Sequence, residues 1–123
     1  MKVLVVDDEK DVQQLFEQYY EDEIARGVVE FKFVFSAEEA LEYLSTFPDS
    51  ATMLILSDIN MPGITGLELL KKIKNQRPAL KVIMVTAYGD DANKKRAEEY
   101  GCDDFITKPI NFDLLSDAIK IQE

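Results

Sequence analysis

Polar residues able to do chemistry follow three apolar runs of the sequence. These runs are Val3–Val6, Met53–Leu56 and Val82–Val85. Each is apolar at every position and too short for a helix, which is typical of strands buried on both faces of a parallel sheet. Asp7 and Asp8 follow the first run, Asp58 follows the second and Thr86 follows the third. Because open α/β sheets bind ligands at the carboxyl ends of their strands, we expect these side chains to lie close together.

Three carboxylates at one edge of a sheet require compensation. Two unit charges ~5 Å apart, at an effective dielectric of ~20, repel by roughly 3 kcal/mol. Either protons or a cation must offset this repulsion. Mg²⁺ suits the set, since it takes one or two carboxylates, keeps waters and leaves room for a phosphate oxygen. The backbone carbonyl of Asn60 offers a further ligand, and Lys108 supplies a positive charge at the same edge.

Strands and helices alternate five times, which favours a parallel sheet with right-handed crossovers and helices on both faces. The runs at Phe31–Phe35 and Asp104–Thr107 are less uniformly apolar than the other three and suit the edges of the sheet. The predicted strand order is therefore 2-1-3-4-5. This is an α/β, doubly wound, flavodoxin-like (βα)5 fold in which residues 1–123 form one domain.

Capping residues and helical periodicity place the five helices. The first begins near Lys10, buries Val12, Leu15, Phe16 and Tyr19, and fades near Arg26–Gly27. Two capping boxes are predicted, at Ser36/Glu39 and Thr65/Glu68. In a capping box, a hydroxyl and a glutamate three residues later accept hydrogen bonds from the free backbone amides at the start of a helix. Asn111 is predicted to cap the last helix. The helix that begins after Ser36 is predicted to end before a turn at Pro48–Ser50, and the helix that begins after Thr65 is predicted to end at Arg77–Pro78. Gln122 is predicted to lie on the buried side of the last helix.

Two segments near the acidic edge have features of their own. The loop after Asp58 contains Pro62, and Gly63 and Gly66 permit the tight turning that such a loop requires. The helix between Asp90 and Tyr100 has a thin apolar stripe. Little burial predicts weak anchoring of that helix.

Composition excludes several classes of protein. With 24 acidic and 14 basic residues the formal charge is -10, which repels nucleic acid phosphates and anionic membranes and argues against direct nucleic acid binding. A single cysteine, Cys102, excludes an internal disulfide and favours a reducing cytoplasm. The apolar run Val3–Val6 is far shorter than a signal peptide core or a ~20-residue membrane span. We therefore expect a cytoplasmic protein without a membrane segment.

Four motifs match one known family in order and spacing. They are Val5-Val6-Asp7-Asp8-Glu9, Ser57-Asp58-Ile59-Asn60-Met61-Pro62-Gly63, Val85-Thr86-Ala87 and Phe105-Ile106-Thr107-Lys108-Pro109. Over almost its whole length the chain resembles the receiver domain of two-component response regulators, and in particular the chemotaxis regulators. Thr65 stands where the family often has aspartate, which changes a helix cap and leaves the acidic site intact.

The resemblance implies a phosphorylation reaction. Asp58 would accept a phosphoryl group from a phosphohistidine on a sensor histidine kinase or phosphotransfer protein, or from small acyl phosphates. Mg²⁺, or Mn²⁺ in its place, would be bound by Asp8, Asp58 and the backbone carbonyl of Asn60, with Asp7 holding a metal-bound water. The domain would promote only its own phosphorylation and dephosphorylation, and would not act as an enzyme on other substrates.

The resemblance also implies how the signal is passed on. Lys108 would pair with the phosphoryl oxygens, and Thr86 would hydrogen-bond to them once transfer has occurred. Phe105 would then turn inward into the space that Thr86 vacates. Ala87 is small enough to leave the site open, and the family pattern implies a cis peptide bond before Pro109.

The candidate partner surface is the face made by the helix at 90–100, the strand at 104–107 and the last helix. It would bind a downstream protein or output domain, and a phosphorylation-dependent homodimer is compatible with it. The sequence ends at Ile121-Gln122-Glu123, which permits a receiver module cut from a larger protein with an enzymatic or DNA-binding output.

Two further alternatives belong to other classes. A metal-dependent phosphohydrolase could use Asp58 as nucleophile, but Asp7 and Asp8 lack an Asp-x-Asp spacing. A flavodoxin-like nucleotide carrier would need a glycine- or hydroxyl-rich loop after the first strand. The acidic residues 7–11 would repel a phosphate there.

Overall fold

The computed structural model describes residues 1–47, 53–61, 63–87 and 89–119. The strands are β1 (Lys2–Val6), β2 (Glu30–Val34), β3 (Leu54–Asp58), β4 (Lys81–Thr86) and β5 (Asp104–Thr107). The helices are α1 (Asp11–Tyr19), α2 (Glu21–Ala25), α3 (Ala37–Ser45), α4 (Gly66–Gln76), α5 (Asp91–Glu99) and α6 (Phe112–Ile119). The predicted turn at Pro48–Ser50, the predicted loop residue Pro62 and the predicted buried position of Gln122 lie outside the described residues.

All five strands are parallel and lie in the order β2-β1-β3-β4-β5, which confirms the predicted topology. The central strand β3 pairs with β1 on one side and β4 on the other, so that Ser57 lies opposite Val6 and Asp58 opposite Val85. β3 is buried at every position, whereas β2 and β5 are largely half-buried or exposed. The less apolar strands therefore occupy the edges, as predicted.

Alternating side chains of each central strand enter two separate cores. In β1, Leu4 and Val6 pack towards α3, α4 and α5, while Val3 and Val5 pack towards α1 and α6. This alternation is the two-residue period of a strand. The sheet is consequently covered by helices on both faces. No helix among the described residues is long and apolar enough to cross a membrane.

The first predicted helix is two helices, because Tyr20 interrupts it. Tyr20 is fully buried and its hydroxyl lies 2.8 Å from Ser116 Oγ on α6. Its φ of -101° and ψ of 23° depart from helical values. Burying Tyr20 together with Phe16 leaves Leu15 and Tyr19, which were predicted to face the core, 52% and 43% exposed.

The three predicted capping residues are confirmed. Ser36 Oγ accepts from the Glu39 amide at 3.1 Å, and Thr65 Oγ1 caps α4 in the same way. The Glu39 carboxylate accepts from the amide of Phe35 at 3.1 Å, one residue before the cap. Asn111 Oδ1 accepts from two amides in the first turn of α6. These caps fix where the helices begin on either side of the sheet.

The helix α5 buries one side chain, that of Ala97, and is followed by the half-buried Tyr100. Asp90 caps it, accepting from the amide of Asn93 at 3.3 Å. The prediction of a thin apolar stripe is therefore confirmed. Lys94 Nζ lies 5.0 Å from the ring centroid of Phe105 on β5, a contact that links this helix to the edge strand.

Candidate functional site

Asp58 occupies the end of the central strand and is 4% exposed. Its Oδ1 accepts from the backbone amide of Asn60 at 3.3 Å, and its Oδ2 accepts from Lys108 Nζ at 2.8 Å. The next residue, Ile59, continues the sheet by donating its amide to the carbonyl of Val85 at 3.1 Å. The backbone carrying this carboxylate is therefore held on both sides.

Asp7, at the end of β1, is buried beside Asp58. Its Oδ1 accepts from the amide of Glu9 at 2.9 Å, and its Oδ2 lies 4.0 Å from Lys108 Nζ. Burial raises the pKa of Asp7 above its ordinary value, and the charge of Asp58 raises it further. The Glu9 amide and Lys108 act in the opposite direction but do not cancel the effect. The negative charge on Asp7 is thus stabilised less than it would be in water.

Asp8 is exposed and completes the acidic cluster. Asp7, Asp8 and Asp58 each offer a carboxylate oxygen, and these oxygens all lie within 4.8 Å of one another. Carboxylate oxygens at this spacing are the donors that hard divalent cations such as Mg²⁺ take. The donor set therefore fits the predicted metal. Asn60 lies beside it through its amide contact with Asp58, and its side chain is exposed.

Lys108 enters the cluster from the opposite side, just after the edge strand β5. Its backbone amide donates to the carbonyl of Thr86 at 2.8 Å, and the Lys108–Pro109 peptide bond is cis, as the family pattern implied. Burial lowers the pKa of Lys108, but the hydrogen bond and charge of Asp58 outweigh this and leave the pKa above its ordinary value. Lys108 therefore carries its charge into the acidic cluster.

Thr86 ends β4 and is fully buried. Its hydroxyl oxygen is the one buried side-chain polar atom without a hydrogen-bond partner among the described residues. An unpaired buried hydroxyl lacks the compensation that such groups ordinarily find. Phe105 lies on the neighbouring strand, opposite Met84, and is half-buried. Ala87 follows Thr86 and is also half-buried.

Gly66 has a role that sequence reasoning missed. Gly63 has the positive φ of 76° that a tight turn requires, whereas Gly66 begins α4 and lies against the central strand. A Cβ on Gly66 would stand 2.7 Å from the Cα of Ile59 and 2.8 Å from the carbonyl carbon of Asp58, and closer still to the Asp58 carbonyl oxygen. Gly66 thus permits close approach more than turning. The sequence offered one signal of this role, because Gly66 directly follows the capping residue Thr65 and therefore belongs to the first turn of a helix.

Glu9 is a charged group for which the sequence predicted no role. Its Oε1 lies 4.0 Å from Lys108 Nζ, so Lys108 faces three carboxylates from two strand ends. The carboxylates predicted to meet do meet at one edge, and Lys108 reaches them. An acidic cluster with a lysine, at the carboxyl edge of a doubly wound sheet, defines a ligand-binding α/β domain of the flavodoxin-like class.

Comparison with known proteins identifies the family within that class. A family model described as the response regulator receiver domain matches residues 3–120. The chemotaxis protein CheY of Listeria monocytogenes is 31% identical over 120 residues, which cover 98% of this chain and 96% of that protein. A response regulator receiver domain protein from Clostridium thermocellum has a TM-score of 0.84 and 29% identity, covering 97% of this chain and 90% of the other.

Other relatives are much longer than this chain. A cyclic di-GMP phosphodiesterase of Thermotoga maritima is 38% identical over 115 residues, which cover 94% of this chain but 29% of that protein. The chain likewise spans 24% of the response regulator protein FleR of Pseudomonas aeruginosa. The chain belongs to the response regulator receiver domain family of two-component systems, in which phosphorylation of an aspartate is the shared function.

Proposed function

We propose that Asp58 is the aspartate that accepts the phosphoryl group in this chain. The observation that carries the proposal is the placement of this buried carboxylate at the end of the central strand, between Asp7 and Lys108. A bond would form between a carboxylate oxygen and phosphorus while the bond from phosphorus to the donor nitrogen breaks. Such transfer depends mainly on in-line positioning and charge stabilisation, so a carboxylate needs no activating base.

The metal would be held by Asp8, Asp58 and the backbone carbonyl of Asn60, with Asp7 holding a metal-bound water. Bound Mg²⁺ or Mn²⁺ would neutralise charge on the phosphoryl oxygens. Support comes from the three carboxylates, whose oxygens lie within 4.8 Å of one another. The contact between the Asn60 amide and Asp58 Oδ1 keeps the loop beside this cluster.

Lys108 and Thr86 would act on the phosphoryl group from the other side. Lys108 Nζ already pairs with Asp58 at 2.8 Å, so it is placed to move onto an oxygen of the transferred group. Thr86, with a buried hydroxyl that lacks a partner among the described residues, would gain one by donating to a phosphoryl oxygen. Movement of Thr86 would open space that Phe105, on the neighbouring strand, would enter.

The partner surface would be the face made by α5, β5 and α6. Its support is the weak anchoring of α5, which buries Ala97 alone and contacts Phe105 through Lys94. A change at Phe105 therefore reaches a helix held by little apolar area. The chain would act as a receiver module covering residues 1–123, binding a downstream protein or an output domain of the same polypeptide. It would catalyse only its own phosphorylation and dephosphorylation.

The phosphoryl donor would approach over an apolar groove that adjoins the site. Asp7 and Lys108 line one end of this groove, and Val12, Leu15 and Ile110 are among its apolar walls. Leu15 is 52% exposed although it belongs to an amphipathic helix. A protein that presents a phosphohistidine to Asp58 would cover this groove, because the groove and the site share residues.

The proposal for Asp58 is tested by intact mass measurement after incubation with Mg²⁺ and acetyl phosphate. The wild type is expected to gain one phosphoryl group, and the Asp58→Asn variant and an EDTA-treated sample are expected to gain none. An adduct that persists in Asp58→Asn would overturn the assignment. Multiple turnover of a stable phosphate ester would instead favour the phosphohydrolase alternative.

The proposal for the groove is tested with the same donor and a phosphohistidine protein side by side. Leu15→Lys is expected to slow transfer from the phosphohistidine protein and to leave acetyl phosphate labelling unchanged. Ile24→Lys is the matched control, since Ile24 is 36% exposed on α2, outside the proposed partner surface, and does not line the groove. Equal rates for both variants with the protein donor would exclude docking at this groove.

A further inference from the structure

The loop at 59–65, between β3 and α4, carries Asn60 and is tied down at both ends. Ile59 anchors its start, donating to the carbonyl of Val85 at 3.1 Å and accepting from the amide of Gly66 at 2.9 Å. Thr65 anchors its end by capping α4. The described part of the loop between these anchors depends on contacts from outside the loop.

Such a contact comes from Glu38, in the first turn of α3. Glu38 Oε1 accepts from the backbone amide of Ile64 at 3.2 Å. It also faces Gly63, where an added Cβ would stand 3.1 Å from the same oxygen. The amides of Glu38 itself and of Ile64 lower the pKa of this carboxyl below its ordinary value, because both donate to the charged form.

We propose that Glu38 is a positioning residue for metal binding, acting through the outer arc of the loop that carries Asn60. This inference rests on the proposed function, because it takes the acidic cluster and the Asn60 carbonyl as the metal site. Glu38 does not belong to the acidic cluster at the carboxyl ends of β1 and β3. It belongs to the helix that follows the edge strand β2.

The physical reason is the entropy of the loop. Asn60 must present its backbone carbonyl to the metal, so the backbone of the loop must be ordered whenever the metal is bound. Ordering backbone residues costs conformational entropy, and a loop that is already held avoids part of that cost on binding. A charged acceptor holds an amide more strongly than a neutral one. Met61 and Ile64 also hold the loop by packing against the core, and removing Glu38 would leave the backbone at Gly63 and Ile64 with that packing and without the hydrogen bond.

The experiment compares Glu38→Ala and Glu38→Gln with Glu42→Ala. Glu42 is exposed on the same helix, one turn further on, so its variant matches the change in net charge. Titration calorimetry measures the dissociation constant for Mg²⁺ without any phosphoryl donor. Amide hydrogen exchange of Ile64, followed by NMR in EDTA, measures the contact without any metal.

Residues that hold a metal ligand in place typically change affinity by about 10- to 100-fold, and Glu38 acts one step further out through an exposed contact. We therefore expect about three- to tenfold weaker Mg²⁺ binding in Glu38→Ala, with faster exchange at Ile64. Glu38→Gln, which keeps an acceptor oxygen, is expected to recover part of both effects. Glu42→Ala is expected to match the wild type.

The outcomes separate this inference from the proposed function. Unchanged Mg²⁺ affinity in Glu38→Ala, or a loss equal to that in Glu42→Ala, would overturn the positioning role while the wild type still binds the metal. A wild type that does not bind Mg²⁺ at all would count against the proposed metal site itself. Labelling by acetyl phosphate at saturating Mg²⁺ is expected to be close to wild type in Glu38→Ala, since affinity and not chemistry is affected.

Discussion

Replacing Gly66 by alanine tests how the fold positions Asp58, the proposed phosphoryl acceptor. The added Cβ would lie 2.7 Å from the Cα of Ile59 and 2.8 Å from the carbonyl carbon of Asp58. Carbon atoms in contact lie about 3.5–4.0 Å apart, so α4 and the backbone at Asp58 and Ile59 must separate by about 0.8 Å or more. The crowded atoms are backbone on the strand side, and no change of rotamer can relieve them.

The expected cost follows from two opposing effects. Overpacking a well-filled core costs about 1–3 kcal/mol, and a clash against rigid backbone belongs at the upper end of that range. Alanine in place of glycine returns at most about 1 kcal/mol through helix propensity. The free energy of unfolding should therefore fall by about 2 kcal/mol. For a chain of 123 residues this corresponds to a decrease in Tm of roughly 6–10 °C.

Urea unfolding followed by circular dichroism measures the loss, and labelling by acetyl phosphate measures the displacement of Asp58. Gly27→Ala is the control. Gly27 has a φ of 73° with nothing within 4 Å of an added Cβ, so alanine there is destabilising by strain alone, by roughly 1–2 kcal/mol. Gly27 precedes β2 and lies near the amino ends of the strands, away from the acidic edge.

We expect Gly66→Ala to lose both stability and labelling rate, and Gly27→Ala to lose stability alone. A Gly66→Ala variant as stable as the wild type would refute the argument, because it would mean that α4 and β3 can separate at no cost. Equal labelling rates in the two variants would show that the position of Asp58 does not depend on this contact.

Three further predictions concern charged side chains. Asp7→Asn is expected to raise the free energy of unfolding in EDTA by about 1 kcal/mol, because burial raises the pKa of Asp7 and so disfavours its charge. The same variant is expected to bind Mg²⁺ more weakly. A variant that urea unfolds more easily than the wild type would contradict the stability prediction. Lys108→Met is expected to bind Mg²⁺ about tenfold more tightly, since the variant lacks a cation 2.8 Å from Asp58. Titration calorimetry measures this affinity, and weaker binding would argue against competition between Lys108 and Mg²⁺ for Asp58. Asp103 differs, because burial would raise its pKa but Lys74 at 2.8 Å and the Val82 amide lower it below the ordinary 3.8. The stability that the charged Asp103 contributes is present above pH 3.8 and is lost as the pH falls through the lower pKa of the folded state. The free energies of unfolding of wild type and Asp103→Asn should therefore differ by about 1 kcal/mol at neutral pH, a figure reduced by solvent screening. Unfolding measured across pH should show the two values converging in acid.

Local pattern was enough to predict the sheet and its acidic edge. The apolar runs before Asp7, Asp58 and Thr86 identified three buried strands, and the mixed runs identified two edges, all of which the structure confirms. Strand ends of a parallel sheet coincide in space, so the meeting of three carboxylates followed from the order of the strands alone. The ion pair between Lys108 and Asp58 joins residues 50 apart, yet it follows from the same rule.

Other features depend on how elements pack, and periodicity could not predict them. The break at Tyr20 arises because its ring is buried and its hydroxyl reaches Ser116 on α6, 96 residues away in sequence. The helical period continues through Tyr20, so the sequence predicted one helix and a buried Leu15. Packing against α6 decided which of these side chains entered the core.

The chain itself determined that an acidic site exists at Asp58, because burial and polarity are local properties that recur at each strand end. The tertiary structure decided how that site is held. Gly66 matters through the backbone it touches, and Glu38 through an amide 26 residues away at Ile64. Distances of a few ångströms between separate helices and loops depend on the packing of whole elements, and a pattern of residue types does not contain them.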